Sequence, residues 1–251
     1  MRFIDTHAHM YDSSFEHDLG QVLEKAASKG CCAIISVSET LDDAQKNLAL
    51  SQQYPILKPG AGLFPTYLDL EHAQKMYQFI EENRKELVAI GEVGLDYWKV
   101  KEEKGREIQR HIFQGFIDLS ARLGLVLNVH SRSAGKHVIS MLLENSAQKV
   151  HLHGFDGKAS TAMPGVEAGW FFSIPPSIVR SRQKQKLVKN LPLNNLLVES
   201  DSPVLGPNPK ERNEPANCLV ALKAIADIKN VDLEQVSEQL FENSTRLYGN
   251  F

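Results

Sequence analysis

A single (β/α)8 TIM barrel is the fold the sequence predicts, and three observations predict it. Short apolar, β-branched runs alternate with longer amphipathic ones along the whole chain, the pattern of βα units around a parallel sheet. Eight such short runs can be counted, the strand number of a closed barrel. Connections between them are short, with no Ser/Gly linker, no low-complexity tract and no repeat of roughly 20–50 residues, so residues 1–251 read as one α/β domain. With 251 residues, 42% of them hydrophobic, the chain can bury a barrel-sized core. A doubly wound open sheet shares the alternation and stays open at this point, because a linear pattern does not show closure.

The strands are expected at Phe3–His7, Cys32–Val37, Leu57–Leu63, Leu87–Val93, Val126–His130, Val150–His153, Trp170–Ile174 and Leu196–Glu199. Between them the spacing predicts helices over Phe15–Lys29, which stops at Gly30, then Asp42–Gln53, Glu71–Lys85, and Gly105–Leu123, which stops at Gly124. Gly135–Asn145, a shorter segment near Lys158–Gly169, and Arg180–Asn190 continue the rhythm. Pro215–Ile228 and Leu233–Phe241 close the chain, the last with Asp232 as its N-cap.

Composition narrows the function. A net charge of −3 provides no global field for nucleic acid, so an extended basic groove is excluded while action on chain ends through a local site is not. No segment approaches the run of about 18 apolar residues that a membrane helix needs, and Arg2 and Asp5 interrupt any signal-like N-terminus. Cys31, Cys32 and Cys218 form no CxxC pattern and read as small buried hydrophobes. These features predict a soluble monomer of the cytoplasm, or of the nucleus in a eukaryote.

The chemistry starts at Thr6-His7-Ala8-His9. Side chains on a strand alternate, so His7 and His9 point to one side, with Cα atoms roughly 6–7 Å apart, close enough to grip one metal ion. Taken alone, the pair reads more readily as two surface histidines near a frayed N-terminus. Downstream, however, Glu92, His130, His153 and Asp201 also fall at or just beyond the C-terminal ends of expected strands, the face on which barrel enzymes build their sites. Nitrogen and oxygen donors without sulfur suit zinc, manganese, magnesium or cobalt, and they outnumber what one tetrahedral ion needs. Two divalent ions bridged by Glu92 would acidify a water and clamp the attacking and leaving oxygens, so hydrolysis is the expected reaction class.

Asp5, Asp96, Glu199 and His151 rank lower as ligands, Glu199 being a candidate to orient one. Gly91 and Gly94 read as strand-end residues that let a metal or substrate approach the backbone. His17, His72, His111 and His137 lie in helical stretches and read as solvated. Arg132 and Arg212 are kept as phosphate-binding candidates, with Lys136, Arg180 and Arg182 undecided. Phe64, Tyr97 and Phe155 fit either a core or a base-stacking role.

These blocks resemble a known family. Thr6-His7-Ala8-His9, Gly91-Glu92-Val93-Gly94-Leu95-Asp96, Gln109 with Phe113, His130-Ser131-Arg132, His153 with Phe155 and Gly157, Glu199-Ser200-Asp201-Ser202-Pro203, Arg212-Asn213-Glu214-Pro215 and Asn243-Ser244-Thr245-Arg246-Leu247 are similar, nearly end to end and in order, to the signatures of the TatD metal-dependent deoxyribonucleases. Ser173-Ile174-Pro175-Pro176-Ser177 and Phe155-Asp156-Gly157 resemble the branch of the third vertebrate TatD-domain paralogue.

The resemblance implies a distorted TIM barrel of the amidohydrolase type. It implies His7, His9, Glu92 and Asp201 around one metal, and Glu92, His130 and His153 around the other. Exonucleolytic removal of nucleotides from DNA 3′ ends, incision at abasic sites, and a role for Asp201 as base follow from it. One stretch departs: where the family shows Gly-Ile/Val-His-Pro-His, this chain has Gly62-Leu63-Phe64-Pro65-Thr66, so Phe64 and Thr66 take substrate-facing positions. That change keeps a second reading open, a two-metal ester or amide hydrolase such as an aminoacyl-tRNA deacylase. A barrel that binds metal or nucleic acid without turnover is the non-enzymatic reading, against which the intact ligand set speaks.

Overall fold

A computed structural model describes residues 1–250. Eight parallel strands follow one another around the sheet in chain order: β1 (Phe3–Ala8), β2 (Cys31–Ser36), β3 (Leu57–Ala61), β4 (Ala89–Gly94), β5 (Val126–His130), β6 (Val150–Leu152), β7 (Phe171–Ile174) and β8 (Leu196–Val198). The ring is drawn shut between β8 and β1 by mixed contacts. Thr6 Oγ1 donates to the Val198 carbonyl (3.0 Å), the Asp201 amide to the His7 carbonyl (2.8 Å), the His9 amide to the Ser202 carbonyl (2.8 Å) and the Ser200 amide to Asp5 Oδ1 (2.8 Å). Sequential strand order and these bonds dispose of the open doubly wound sheet.

The barrel is distorted near β3. That strand ends at Ala61, and Ser38, just beyond β2, bonds directly to β4: its amide donates to the Gly91 carbonyl (3.1 Å) and its carbonyl accepts from the Glu92 amide (2.9 Å).

The helices are α1 (Leu19–Ser28), α2 (Leu41–Gln53), α3 (Leu70–Glu82), α4 (Glu103–Leu123), α5 (Gly135–Glu144), α6 (Ala159–Glu167), α7 (Arg182–Asn190), α8 (Cys218–Lys229) and α9 (Leu233–Tyr248). Each buries one apolar stripe against the sheet, as Ala73, Met76 and Ile80 do on α3 at helical spacing. Thr40, Asp69 and Asp232 accept backbone N–H groups at the starts of α2, α3 and α9, and Gly124 (φ 69°) ends α4 in the left-handed conformation.

Three expectations are corrected. Phe15–Lys29 is not one helix but a 3₁₀ turn at Ser13–Phe15 followed by α1, because Asp18 is drawn out by a bidentate pair with Arg212 (2.8 and 2.6 Å). The final helix runs past Phe241 to Tyr248. Asn243 and Ser244 look like helix-ending polar residues, yet both are buried, with Asn243 Nδ2 donating to the Leu193 and Leu196 carbonyls (2.8 Å each). Cys32 is exposed, while Cys31 and Cys218 are buried.

Most of the core lies between sheet and helices. A second cluster joins Ile4, Ala33, Ala89, Val126, Phe171 and Leu197, residues near the strand starts, to Leu247, Phe241 and Tyr248 of α9. The last helix therefore stoppers the N-terminal mouth, leaving the C-terminal mouth for chemistry. Among the described residues no helix is long and apolar enough to cross a membrane.

Gly91 and Gly94 have a different purpose from the one their position suggested. A Cβ on Gly91 would sit 2.6 Å from Asn128 Cβ, and one on Gly94 (φ 140°) would collide with the His130 carbonyl, so both glycines let β5 close against β4. Gly94→Ala is expected to destabilise the fold by about 2 kcal/mol or more, from the forbidden φ together with the collision. Urea unfolding monitored by circular dichroism reads that loss; an unchanged midpoint would refute the packing argument.

Candidate metal centre

Six side chains converge at the C-terminal mouth, and every one arrives from a strand end: His7 and His9 from β1, Glu92 from β4, His130 from β5, His153 from just beyond β6, and Asp201 from the loop after β8. The structure thus brings together all the expected metal ligands. His7 Nε2 and His9 Nε2 face each other at 3.2 Å, and each lies 3.5 Å from Asp201 Oδ1. Glu92 stands between two groups of donors. Its Oε2 is 3.5 Å from His9 Nε2, while its Oε1 is 2.6 Å from His130 Nδ1 and 2.7 Å from His153 Nε2. The His7 and His153 rings stack at 3.8 Å across the mouth, 5° from parallel.

The ring nitrogens that face inward are set by partners behind them. Asn128, one alternation before His130 on β5, donates its amide to the Thr6 carbonyl (3.0 Å), which can only accept. That fixes the amide, turns Asn128 Oδ1 toward His7 Nδ1 (2.8 Å), and makes Nδ1 the protonated nitrogen. His7 Nε2 is therefore a free lone pair aimed into the site. Asp96 Oδ2 does the same for His130 by accepting from Nε2 (3.1 Å), which leaves Nδ1 facing Glu92.

Glu199 is pinned by the Gly154 amide (2.9 Å) and Ser173 Oγ (2.6 Å), with Oε2 3.7 Å from His153 Nδ1, beyond hydrogen-bond length. Asp201 adopts φ 53°, a left-handed conformation that only a short polar side chain tolerates well, and is held there by the bond from its amide to the His7 carbonyl.

Electrostatics show what the cluster attracts. Burial favours the neutral forms of all these groups. Against that burial, the charges of His153 and His130 hold the Glu92 carboxyl well below its ordinary range. Burial also opposes a charged His153, yet the Glu92 carboxylate carries it well above the usual imidazole value. His9 is lifted to about 9 against burial by its hydrogen bond to Asp201 and by Glu92. His7 goes the other way, held low by burial and by neighbouring His153. Positive charge is thus drawn to nitrogens that already face carboxylates. Donor atoms of His7, His9 and Asp201, of Glu92, His130 and His153, and of His9, Glu39 and Glu92 each lie within 4.8 Å of one another. A divalent cation in place of the protons suits this donor set.

The cluster forms the floor of a cavity of about 690 Å³ whose walls include Phe64, Arg132, Asp156, Gln183, Lys184 and Leu205. Phe64 packs edge-on to His130 (ring centres 5.0 Å apart), and Arg132 stacks on the exposed Trp98 at 3.8 Å. Thr66 is half-buried and lies outside the cavity wall. So does Arg212, whose guanidinium is taken up by Asp18, the Ser14 carbonyl and Glu214. Tyr97 and Phe155 belong to the core, and His17, His72, His111 and His137 are exposed. Asp5 and His151 lie below the ligands: Asp5 supports the β1–β8 closure, and His151 sits between Tyr248 Oη (2.7 Å) and Ser173 Oγ (2.6 Å).

Sequence reasoning missed Asn128, Glu39, Tyr248 and Lys184. Period-two counting back from His130 would have found Asn128; nothing in the sequence marked the others.

A closed parallel barrel with imidazoles and carboxylates gathered around a shared glutamate on its C-terminal rim defines a metal-dependent hydrolase. Comparison with known proteins narrows this. Residues 4–249 match the family described as TatD related DNase. The chain is 44% identical over 260 residues to the human protein named deoxyribonuclease TATDN3, covering 98% of this chain and 94% of that one. It is 29% identical over 252 residues to YabD of Bacillus subtilis (strain 168), named an uncharacterized metal-dependent hydrolase, covering 97% and 98%. Its fold is similar to the crystal structure of YJJV, a TatD homologue from Escherichia coli K12, with a TM-score of 0.91 and 25% identity over 100% of this chain and 99% of the other. The chain belongs to the TatD family.

Replacing Asn128 by Ala removes the group that fixes the His7 tautomer. Affinity for a divalent metal is expected to fall about 10–100-fold, the usual cost of deleting a partner behind a ligating histidine. Competition with a chromogenic chelator measures it, and unchanged affinity would show that His7 is oriented by other means.

Proposed function

We propose that this chain is a divalent-metal-dependent phosphodiesterase that removes nucleotides from the 3′ ends of DNA. The observation carrying the proposal is the position of Glu92, one carboxylate oxygen toward His9 and the other between His130 and His153. His7, His9, Asp201 and Glu92 would hold one zinc, manganese, magnesium or cobalt ion, and Glu92, His130 and His153 a second. When bound, such ions supply Lewis acidity and neutralise charge on the phosphate.

The protein's own groups do the rest. Asp201 is the carboxylate best placed to take the proton of the attacking water, because its strained backbone aims it across the mouth at His7 and His9. Arg132 offers a guanidinium at the rim for phosphate oxygens. Phe64 supplies an apolar wall where a nucleobase or sugar can rest. The names of the human and bacterial relatives, a deoxyribonuclease and a metal-dependent hydrolase, support the same reading. With a net charge of −3 and one compact cavity, a strand end fits better than a long duplex.

The test is shortening of a 5′-labelled single-stranded oligonucleotide, alongside a duplex carrying an abasic site and an aminoacyl-tRNA. Cleavage should require a divalent metal, supplied as manganese or magnesium, stop in excess chelator and return on adding the metal back. Glu92→Ala, His7→Ala and His9→Ala should each lose at least about 10²-fold in rate, the size of effect seen when an essential electrostatic group is removed. An intact oligonucleotide after incubation with folded, metal-loaded protein would overturn the proposal, and turnover of the aminoacyl ester alone would replace it.

A further inference from the structure

Lys184 has no part in the chemistry described so far. It is the third residue of α7, and among the described residues it is the only lysine or arginine that is buried, at 8% exposure. Its Nζ donates to the carbonyl of Gly154 (3.0 Å), the residue after the ligand His153. An ammonium carries three donors, so that one bond leaves two uncommitted. Lys184 forms no ion pair with any described carboxylate, although Glu199, Asp201 and Asp156 act on it from a distance.

The cavity it lines makes this arrangement informative. Four carboxylates (Glu39, Glu92, Asp156 and Asp201) face only two permanent cations there, Arg132 and Lys184. Arg132 is exposed and rests on Trp98, while the segment after β3 contributes Phe64 and no charge. Ser181 and Gln183, at the N-terminus of α7, line the same wall, so the positive end of a helix and a desolvated ammonium address one place.

We propose that Lys184 is the buried phosphate-binding cation of the cavity, behind Arg132 at its rim, its Nζ bonding non-bridging oxygens of the substrate's terminal nucleotide at the start of α7. This rests on the phosphodiesterase reading above. Burial holds the Lys184 ammonium below the ordinary lysine value, against the pull of Glu199, Asp201 and Asp156. A salt link to an incoming phosphate made in such a place is stronger than one at the surface, because the ammonium has already lost its water on folding and only the phosphate is desolvated on binding.

The experiment uses the metal-loaded full chain and dTMP as the probe. Affinity for dTMP is measured by isothermal titration calorimetry, and kcat and KM on a 5′-labelled oligonucleotide, for wild type, Lys184→Met and Lys184→Arg. Metal content and the thermal midpoint are recorded for each, with Lys184→Gln as the substitute if Lys184→Met does not fold. Lys184→Met should weaken dTMP binding and raise KM on the order of 10-fold or more, the loss of a charge-assisted bond, with metal content unchanged, and Lys184→Arg should recover most of it.

Equal dTMP affinity in wild type and Lys184→Met overturns the assignment, as does failure of the wild type to bind dTMP at all. A lower thermal midpoint with dTMP affinity intact also overturns it, by leaving Lys184 only its tie to Gly154. The two readings fail separately: lysine-dependent dTMP binding without oligonucleotide cleavage keeps the phosphate site and removes the nuclease, whereas cleavage indifferent to Lys184 does the reverse.

Discussion

Glu92 is a carboxylate at 2% exposure in the mouth of a barrel, and much of the structure around it compensates for that fact. An ion of this kind taken from water without partners costs several kcal/mol, more than a typical domain can spare. His130 and His153 meet one of its oxygens at 2.6 and 2.7 Å, and His9 approaches the other at 3.5 Å. Imidazoles meet the requirement where lysines would not, because they can surrender their protons to a metal and keep the geometry. The same constraint that makes the carboxylate tolerable therefore makes the place a cation site.

Strand closure delivers the groups to that place, and the C-terminal helix locks them there. Asp201 and His9 are each fixed by a backbone bond across the β1–β8 seam, so the seam that completes the barrel also sets two of the donors. From below, Tyr248 Oη reaches Asn128 Nδ2 (3.1 Å) and His151 Nδ1 (2.7 Å), and Asn128 carries the connection on to His7. A hydroxyl at the end of α9 is thus two hydrogen bonds from a candidate metal ligand. Such buried polar chains are costly when any member is removed, which ties the stability of the last helix to the order of the site.

How much of this was legible in the sequence follows from which interactions are local. His7, His9, Glu92, His130, His153 and Asp201 could be read because period-two strands and the barrel's C-terminal face reduce a three-dimensional site to positions along a line. The eight strands were legible for the same reason. What failed was long-range: Asp18 leaves the first helix because Arg212, nearly two hundred residues away, holds it, and α9 continues through Asn243 because the Leu193 and Leu196 carbonyls need its amide. The purpose of Gly91 and Gly94 was misread likewise, since the atoms they avoid belong to β5 rather than to a ligand. Lys184 looks like one more charge on a solvated helix, and only the fold shows it turned inward.

The loop after β3 shapes one side of the cavity through Phe64. Phe64 places an apolar ring against His130, so that side chain offers a phosphate no donor. The remaining cations, Arg132 and Lys184, lie on the β5 and α7 sides. On the proposed reading, phosphate oxygens would lie toward β5 and α7 and an apolar surface would face Phe64. A terminal nucleotide, with phosphate at one end and a flat base at the other, matches that polarity. A small uncharged ester carries no phosphate for either cation.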